Sequence, residues 1–167
     1  MILGMSTATF TLVHVIISLV GIGSGLVVAV GLWRAQPLPL WTALFLASTI
    51  ATSATGFLFH SKTFGPPHVV GVISLMVLAI GLLALYGLHL ARNWRGTYVF
   101  CALAALYFNV FVAVAQAFDK VPALHALAPK GSEPPFAVAQ LLVLGGFVAF
   151  GVAAAKRFHP LRPAAHA

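Results

Sequence analysis

Residues 8–33 read ATFTLVHVIISLVGIGSGLVVAVGLW, a run without one Lys, Arg, Asp or Glu. A bilayer crossing needs about 20 mostly apolar residues, and this run exceeds that length. It is continuously apolar, with no period-two alternation, so it reads as a membrane helix and argues against a strand of a barrel. Cutting the rest of the chain at every charged residue leaves four more stretches of the same kind, giving 1–33, 35–61, 63–91, 96–118 and 134–155 in all. Trimmed at their polar ends and prolines, they predict helices over 8–33, 40–60, 67–91, 96–118 and 135–157.

The composition agrees. Of 167 residues, 61% are hydrophobic and 7% charged, against about 25% charged in globular proteins. Too little charge is present to cover a water-soluble surface, which excludes a soluble enzyme and a disordered tail. The single cysteine, Cys101, excludes an intrachain disulfide framework. The net charge of +7 does not imply nucleic acid, because the cations sit in short gaps between apolar runs; the lipid bilayer is the partner they address.

The expected fold is therefore an all-α integral membrane bundle of five antiparallel transmembrane helices. Short connectors carry the breakers Pro37, Pro39, Gly65, Pro66 and Pro67, and a longer one, Asp119 to Pro134, holds a short amphipathic turn within Val121 to Ala128. Residues 1–158 form one bundle and 159–167 a flexible basic cytoplasmic tail. Arg34, Arg92, Arg95, Lys156, Arg157 and Arg162 fall on one side, and Lys62, Lys120 and Lys130 on the other with Asp119 and Glu133. The cation excess faces the cytoplasm, which places the amino terminus outside and the carboxyl terminus inside. Trp33, Trp41 and Trp94 sit on the cation-rich side as an interfacial belt. The first helix lacks a basic leader and is followed by Arg34, so it reads as an uncleaved span instead of a signal peptide.

Polar residues within the apolar runs gather toward the outer half. His14, Ser18, Gly21 and Gly25 share one stripe of the first helix, and Thr49, Ser53, Gly56 and His60 one stripe of the second. An ionisable side chain in lipid costs kcal/mol, so these stripes should face protein. The leading functional expectation is a small redox-linked protein binding haem b through two of His14, His60 and His68, with Lys62 and Lys120 beside the propionates and Gly21, Gly25, Gly56 and Gly71 admitting the macrocycle. No CxxCH run is present, which excludes covalent haem. The same pocket suits a quinone held by His14, Gln116 or Gln140 among Phe57, Phe59, Phe118 and Phe136. It also suits a zinc or copper ion held by His14, His60, His68, Asp119 and Glu133, with His125 nearby, in a metal or proton transporter. The bland reading is a cofactor-free accessory or assembly subunit, whose histidines are interfacial side chains and whose partner is a membrane protein or a second copy. The hydroxyl run Ser48, Thr49, Thr52, Ser53 and Thr55 and the amide of Asn109 read first as packing groups. Gly21 with Gly25, and Gly145 with Ala149 and Ala153, are expected at helix contacts. No catalytic residue emerges.

The segments 106-LYFNVFV-112, 116-QAFDKVP-122 and 132-SEPPF-136 resemble small polytopic proteins of bacterial inner membranes. That resemblance implies a cytoplasmic membrane location and no residue roles. The chain is similar to cytochrome b561-type proteins only in being a small histidine-bearing helical bundle.

Overall fold

The structure, a computed structural model, describes residues 2–59 and 65–159. The expected His60 and Lys62 sites, and Arg162 in the tail, lie outside the described residues. Helix α1 (Thr7–Trp33) starts where Ser6 Oγ accepts the Thr9 N–H at 3.1 Å, the usual means of satisfying an orphan amide at a helix start. The later helices begin at prolines: α2 (Pro39–Gly56), α3 (Pro66–Leu82), α5 (Pro122–Leu127) and α6 (Pro134–Arg157). Proline fixes φ and forfeits an amide that the first turn leaves unbonded anyway. Only α4 (Trp94–Lys120) starts without one.

Two boundaries differ from the sequence reading. Helix α2 stops at Gly56, short of residue 60. Helix α3 widens into a π-helical turn at Leu83–Gly87, where the Leu88 N–H reaches Leu83 O at 2.8 Å, and the connector then places His89, Leu90 and Arg92 at positive φ. A continuous helix to residue 91 is thus replaced by a wider turn and a left-handed connector. The turn Leu83-Ala84-Leu85-Tyr86-Gly87 looks like ordinary apolar helix in the sequence.

Four helical segments among the described residues are long and apolar enough to cross a membrane: Thr7–Trp33, Pro66–Gly87, Trp94–Lys120 and Pro134–Arg157. Helix α2, with 18 residues, is not among them; Thr42, Ser48, Thr49, Thr52, Ser53 and Thr55 dilute it. It nonetheless lies antiparallel beside α1, matching Gly25 to Phe45, Gly21 to Thr49 and His14 to Thr55. Helices α1 to α4 form a ring, each packed on the next and α4 closing on α1, while α6 packs outside against α4 and α1.

The two ends of this ring are built differently. At the arginine end, which carries Arg34, Arg92, Arg95 and Arg157, the core is denser: Val28, Leu32, Phe45, Leu78, Tyr98, Val99, Leu106 and Phe158 pack together and leave only a small pocket of about 110 Å³ beside Leu38 and Pro39. Gly25 is the keystone here, because a Cβ on it would lie 2.6 Å from Leu106 Cδ1 and 2.9 Å from the Phe45 ring. Lipid is as apolar as leucine, so helix association relies on such close packing. Trp33 stacks on Phe150 at 5.4 Å, and the Arg157 guanidinium lies 4.0 Å over the Trp33 ring, tying α6 to α1. At the acid end, with Asp119 and Glu133, the four helices enclose a cavity.

Candidate functional site

The cavity measures about 660 Å³, within the range of small-molecule sites, roughly 300–1,000 Å³. Its α1 wall runs from Thr11 to Ile22 and its α4 wall from Phe108 to Lys120, which at about 1.5 Å per residue makes it roughly 16 Å long. It is a slot along the bundle axis, longer than wide.

The floor is a polar layer at mid-bundle. Asn109 Nδ2 donates to Thr49 Oγ1 at 3.1 Å beneath Gly21, whose missing side chain makes room for both. One turn nearer the acid end, Ser53 Oγ donates to Ser74 Oγ at 3.0 Å. Thr52 also lines the slot, and its buried hydroxyl has no partner among the described residues. Hydroxyls in membrane helices are usually satisfied by the backbone one turn back, as Ser48 is by Leu44 O at 2.7 Å.

Two turns above the floor, His14 of α1 and Gln116 of α4 stand at one level, each seven residues from the contact of Gly21 with Asn109. His14 Nδ1 lies 2.8 Å from Thr55 Oγ1. The Thr55 hydroxyl proton is already directed to Ala51 O at 2.6 Å, so its oxygen accepts from the histidine. The network thereby puts the His14 proton on Nδ1 and leaves Nε2 with its lone pair. Phe59 packs edge-on against this ring at 5.0 Å, and Gly56 leaves it space on the α2 side.

His68 lines the slot one turn nearer the acid end. Its Nδ1 accepts the Gly65 N–H at 3.2 Å, so in the neutral ring the proton sits on Nε2. The two imidazoles are therefore opposite in tautomer: Nε2 is an acceptor in His14 and carries the proton in His68. Lys120 completes the lining at the last turn of α4.

Four of the sequence candidates, His14, His68, Gln116 and Lys120, thus share one cavity. Asp119, Glu133 and Gln140 do not line it. Asp119 is exposed on the last turn of α4. Glu133 is the residue before α6, and its carboxylate accepts the Lys130 and Ser132 amides at 3.0 Å each. Partial desolvation raises its pKa, but those amides and nearby His125 outweigh this and hold the group below the usual carboxylate range. It is a loop-closing group, and its lone pairs are engaged. Gln140 is buried between α6 and α4, where Nε2 donates to Phe111 O at 3.1 Å and Oε1 has no partner among the described residues. Its stripe of α6 faces the back of α4. No three His, Cys, Asp or Glu side chains converge on a metal position among the described residues.

The glycines expected to admit a macrocycle are mostly filled by neighbours. Gly25 receives Leu106 and Phe45, Gly21 the amide and hydroxyls of the floor, and Gly71 the Phe57 ring at 3.0 Å. Gly145, expected at a helix contact, has nothing within 4 Å, because that face of α6 points away from the ring.

Comparison with protein-family models, curated proteins and solved structures returned no match. The chemistry of the slot is accordingly read from its own residues.

Proposed function

We propose that the chain is a five-span protein of a bacterial cytoplasmic membrane, amino terminus outside, that binds a quinone-class molecule in the slot at its outer end. The five spans are supported by the antiparallel course of α2 along α1. The orientation is supported by the cations at the arginine end, whose preferred side is the cytoplasm.

The observation that carries the ligand class is a mainly apolar slot with hydrogen-bonding groups spaced along it, His14 and Gln116 standing at one level. A flat ring with a carbonyl or hydroxyl at its edge and a hydrocarbon tail has that same distribution of polarity. Lipid on the outside of the ring gives such a molecule its solvent before entry. The test is equilibrium binding of decylubiquinone to the protein in phosphatidylcholine nanodiscs. Saturable binding near one per chain, abolished by Ala113→Phe in the slot wall, is the expected result. Binding no greater than to empty nanodiscs rejects the proposal.

Haem b is the second reading, and one observation favours it: a histidine whose Nδ1–H is anchored by a hydroxyl resembles an oriented axial ligand. His68 weighs against a His14–His68 pair, since ligation through its Nε2 requires displacing the proton that the Gly65 contact puts there. A dithionite-reduced spectrum of protein from haem-replete cells separates the readings, because only haem gives a Soret band that His14→Ala alters. Ion transport and a cofactor-free accessory role predict neither signal.

A further inference from the structure

We infer that the slot selects the reduced, hydroxyl-bearing form of its ligand over the oxidised form, and that Thr55, which would not itself touch the ligand, sets this preference by fixing the proton of His14. The inference rests on the quinone-class reading above and adds which redox form is held.

Thr55 has one hydroxyl proton, and carbonyl oxygens can only accept; Ala51 O at 2.6 Å and Thr52 O at 3.2 Å both compete for it. Its distance of 2.8 Å to His14 Nδ1 then requires the histidine to donate. A neutral imidazole has one N–H, so Nε2 is an acceptor. Nε2 makes no hydrogen bond among the described residues, and the half-buried His14 ring lines the slot. An acceptor presented to an oxidised ring meets carbonyl oxygen, another acceptor, and repels it. Presented to a reduced ring, it meets an O–H donor. Gln116, at the same level, carries both a donor and an acceptor and so accommodates either form. A buried acceptor facing an acceptor leaves both unpaired, and such mismatches are discriminated far more strongly than differences in apolar bulk.

Thr55 is thus a positioning residue. Replacing it with Val keeps the shape but removes the oxygen that holds the Nδ1 proton, so His14 becomes free to present either nitrogen state to the slot. The rest of the slot is untouched.

The experiment measures binding of decylubiquinol and decylubiquinone anaerobically to the full chain in phosphatidylcholine nanodiscs, for the wild type, Thr55→Val and His14→Phe, with ¹⁵N-histidine spectra of the unliganded proteins. Wild type should bind the quinol at least tenfold more tightly and show a His14 signal pair with the proton on Nδ1. Thr55→Val should bring the two affinities within about threefold and mix the tautomers while leaving the helical circular dichroism unchanged; His14→Phe should abolish the preference. If wild type binds both forms equally, or prefers the quinone, the inference is overturned while the quinone-class reading stands. If neither form binds, that reading falls and the inference with it. If the preference survives Thr55→Val with the His14 tautomer unchanged, Thr55 does not set it.

Discussion

The arginine end and the acid end of the four-helix ring are made from the same helices, yet one is dense and the other hollow. On α1, Gly25 lets Leu106 and Phe45 reach the helix surface and the gap vanishes; Gly21, one turn away, meets the short polar groups Asn109, Ser48 and Thr49. From that level toward the acid end, the inward positions of α1 and α2 include Ser18, His14, Thr52, Ser53 and Gly56, which are too small or too polar to fill the centre between the flanking Val15, Leu19 and Ile22. The lesson is that side-chain volume at the inward positions, and not helix length or hydropathy, decides where a membrane bundle keeps space. Several substitutions break or sharpen this contrast.

The largest difference is expected from equal truncations at the two ends. Leu106 is 1% exposed in the packed half, and Leu106→Ala should cost roughly 2 kcal/mol or more, because the new void forfeits dispersion contacts. Val112→Ala in the slot wall only enlarges an existing space and should cost less than about 0.5 kcal/mol, as ordinary for a lightly packed site. Reversible unfolding in bicelles measures both, and equal costs would show that the two halves are packed alike.

A smaller effect separates two glycines. A Cβ at Gly25 meets Leu106 and Phe45, which are themselves locked, whereas at Gly71 it meets only the Phe57 ring, which borders the slot and has room to yield. Gly25→Ala should cost about 1–3 kcal/mol by overpacking, and Gly71→Ala markedly less. A Gly71→Ala protein as damaged as the Gly25 variant would mean that Phe57 is as fixed as Phe45.

At the boundary between the halves, Asn109→Leu removes the bond to Thr49 and should cost about 0.6 kcal/mol, the average for interhelical hydrogen bonds in a membrane protein. A loss several times larger would make this polar layer the main clamp of the bundle.

The smallest effect concerns the acid end outside the membrane. The folded-state pKa of Glu133 lies below its ordinary value of 4.5, so the carboxylate supports the α5–α6 connector above its unfolded pKa and loses that support as pH falls through the lower, folded one. The protection of the Lys130 and Ser132 amides, taken as exchange relative to the intrinsic rate at each pH, should fall below about pH 4, the ordinary carboxylate range; protection unchanged down to pH 2 would refute the role of the carboxylate.

Much of the ring is legible in the sequence. Charges and prolines delimit most ends of the long helices to within a few residues, the carboxyl ends of α2 and α3 excepted, and the stripe containing His14, Ser18, Gly21 and Gly25 does face protein. The short α5 falls inside the connector where an amphipathic turn is expected. Other features were not legible, for physical reasons. Gln140 and Gln116 are alike in sequence as amides within apolar helices, and only the packing of α6 outside the ring sends one to the back of α4. Glu133 reads as a ligand until the turn Lys130-Gly131-Ser132, with Gly131 at φ 65°, aims two amides at it. The glycines look like gaps because a sequence does not show which neighbour will occupy them. The tautomers of His14 and His68 follow from a hydroxyl acceptor and an amide donor that only folding brings into reach.

The hydroxyls of α2 also bear on how the chain enters the bilayer. A segment diluted by Thr and Ser partitions from the translocation channel less readily than its strongly apolar neighbours, since insertion follows summed per-residue free energies. Three of its inward polar groups meet partners on other helices: Thr49 meets Asn109, Ser53 meets Ser74 and Thr55 meets His14. Of these partners only His14 has already been synthesised when α2 emerges. On the proposed five-span reading, the α1–α2 hairpin should therefore leave the channel as one unit, and His14, besides lining the slot, would act as the first companion that makes α2 acceptable to lipid.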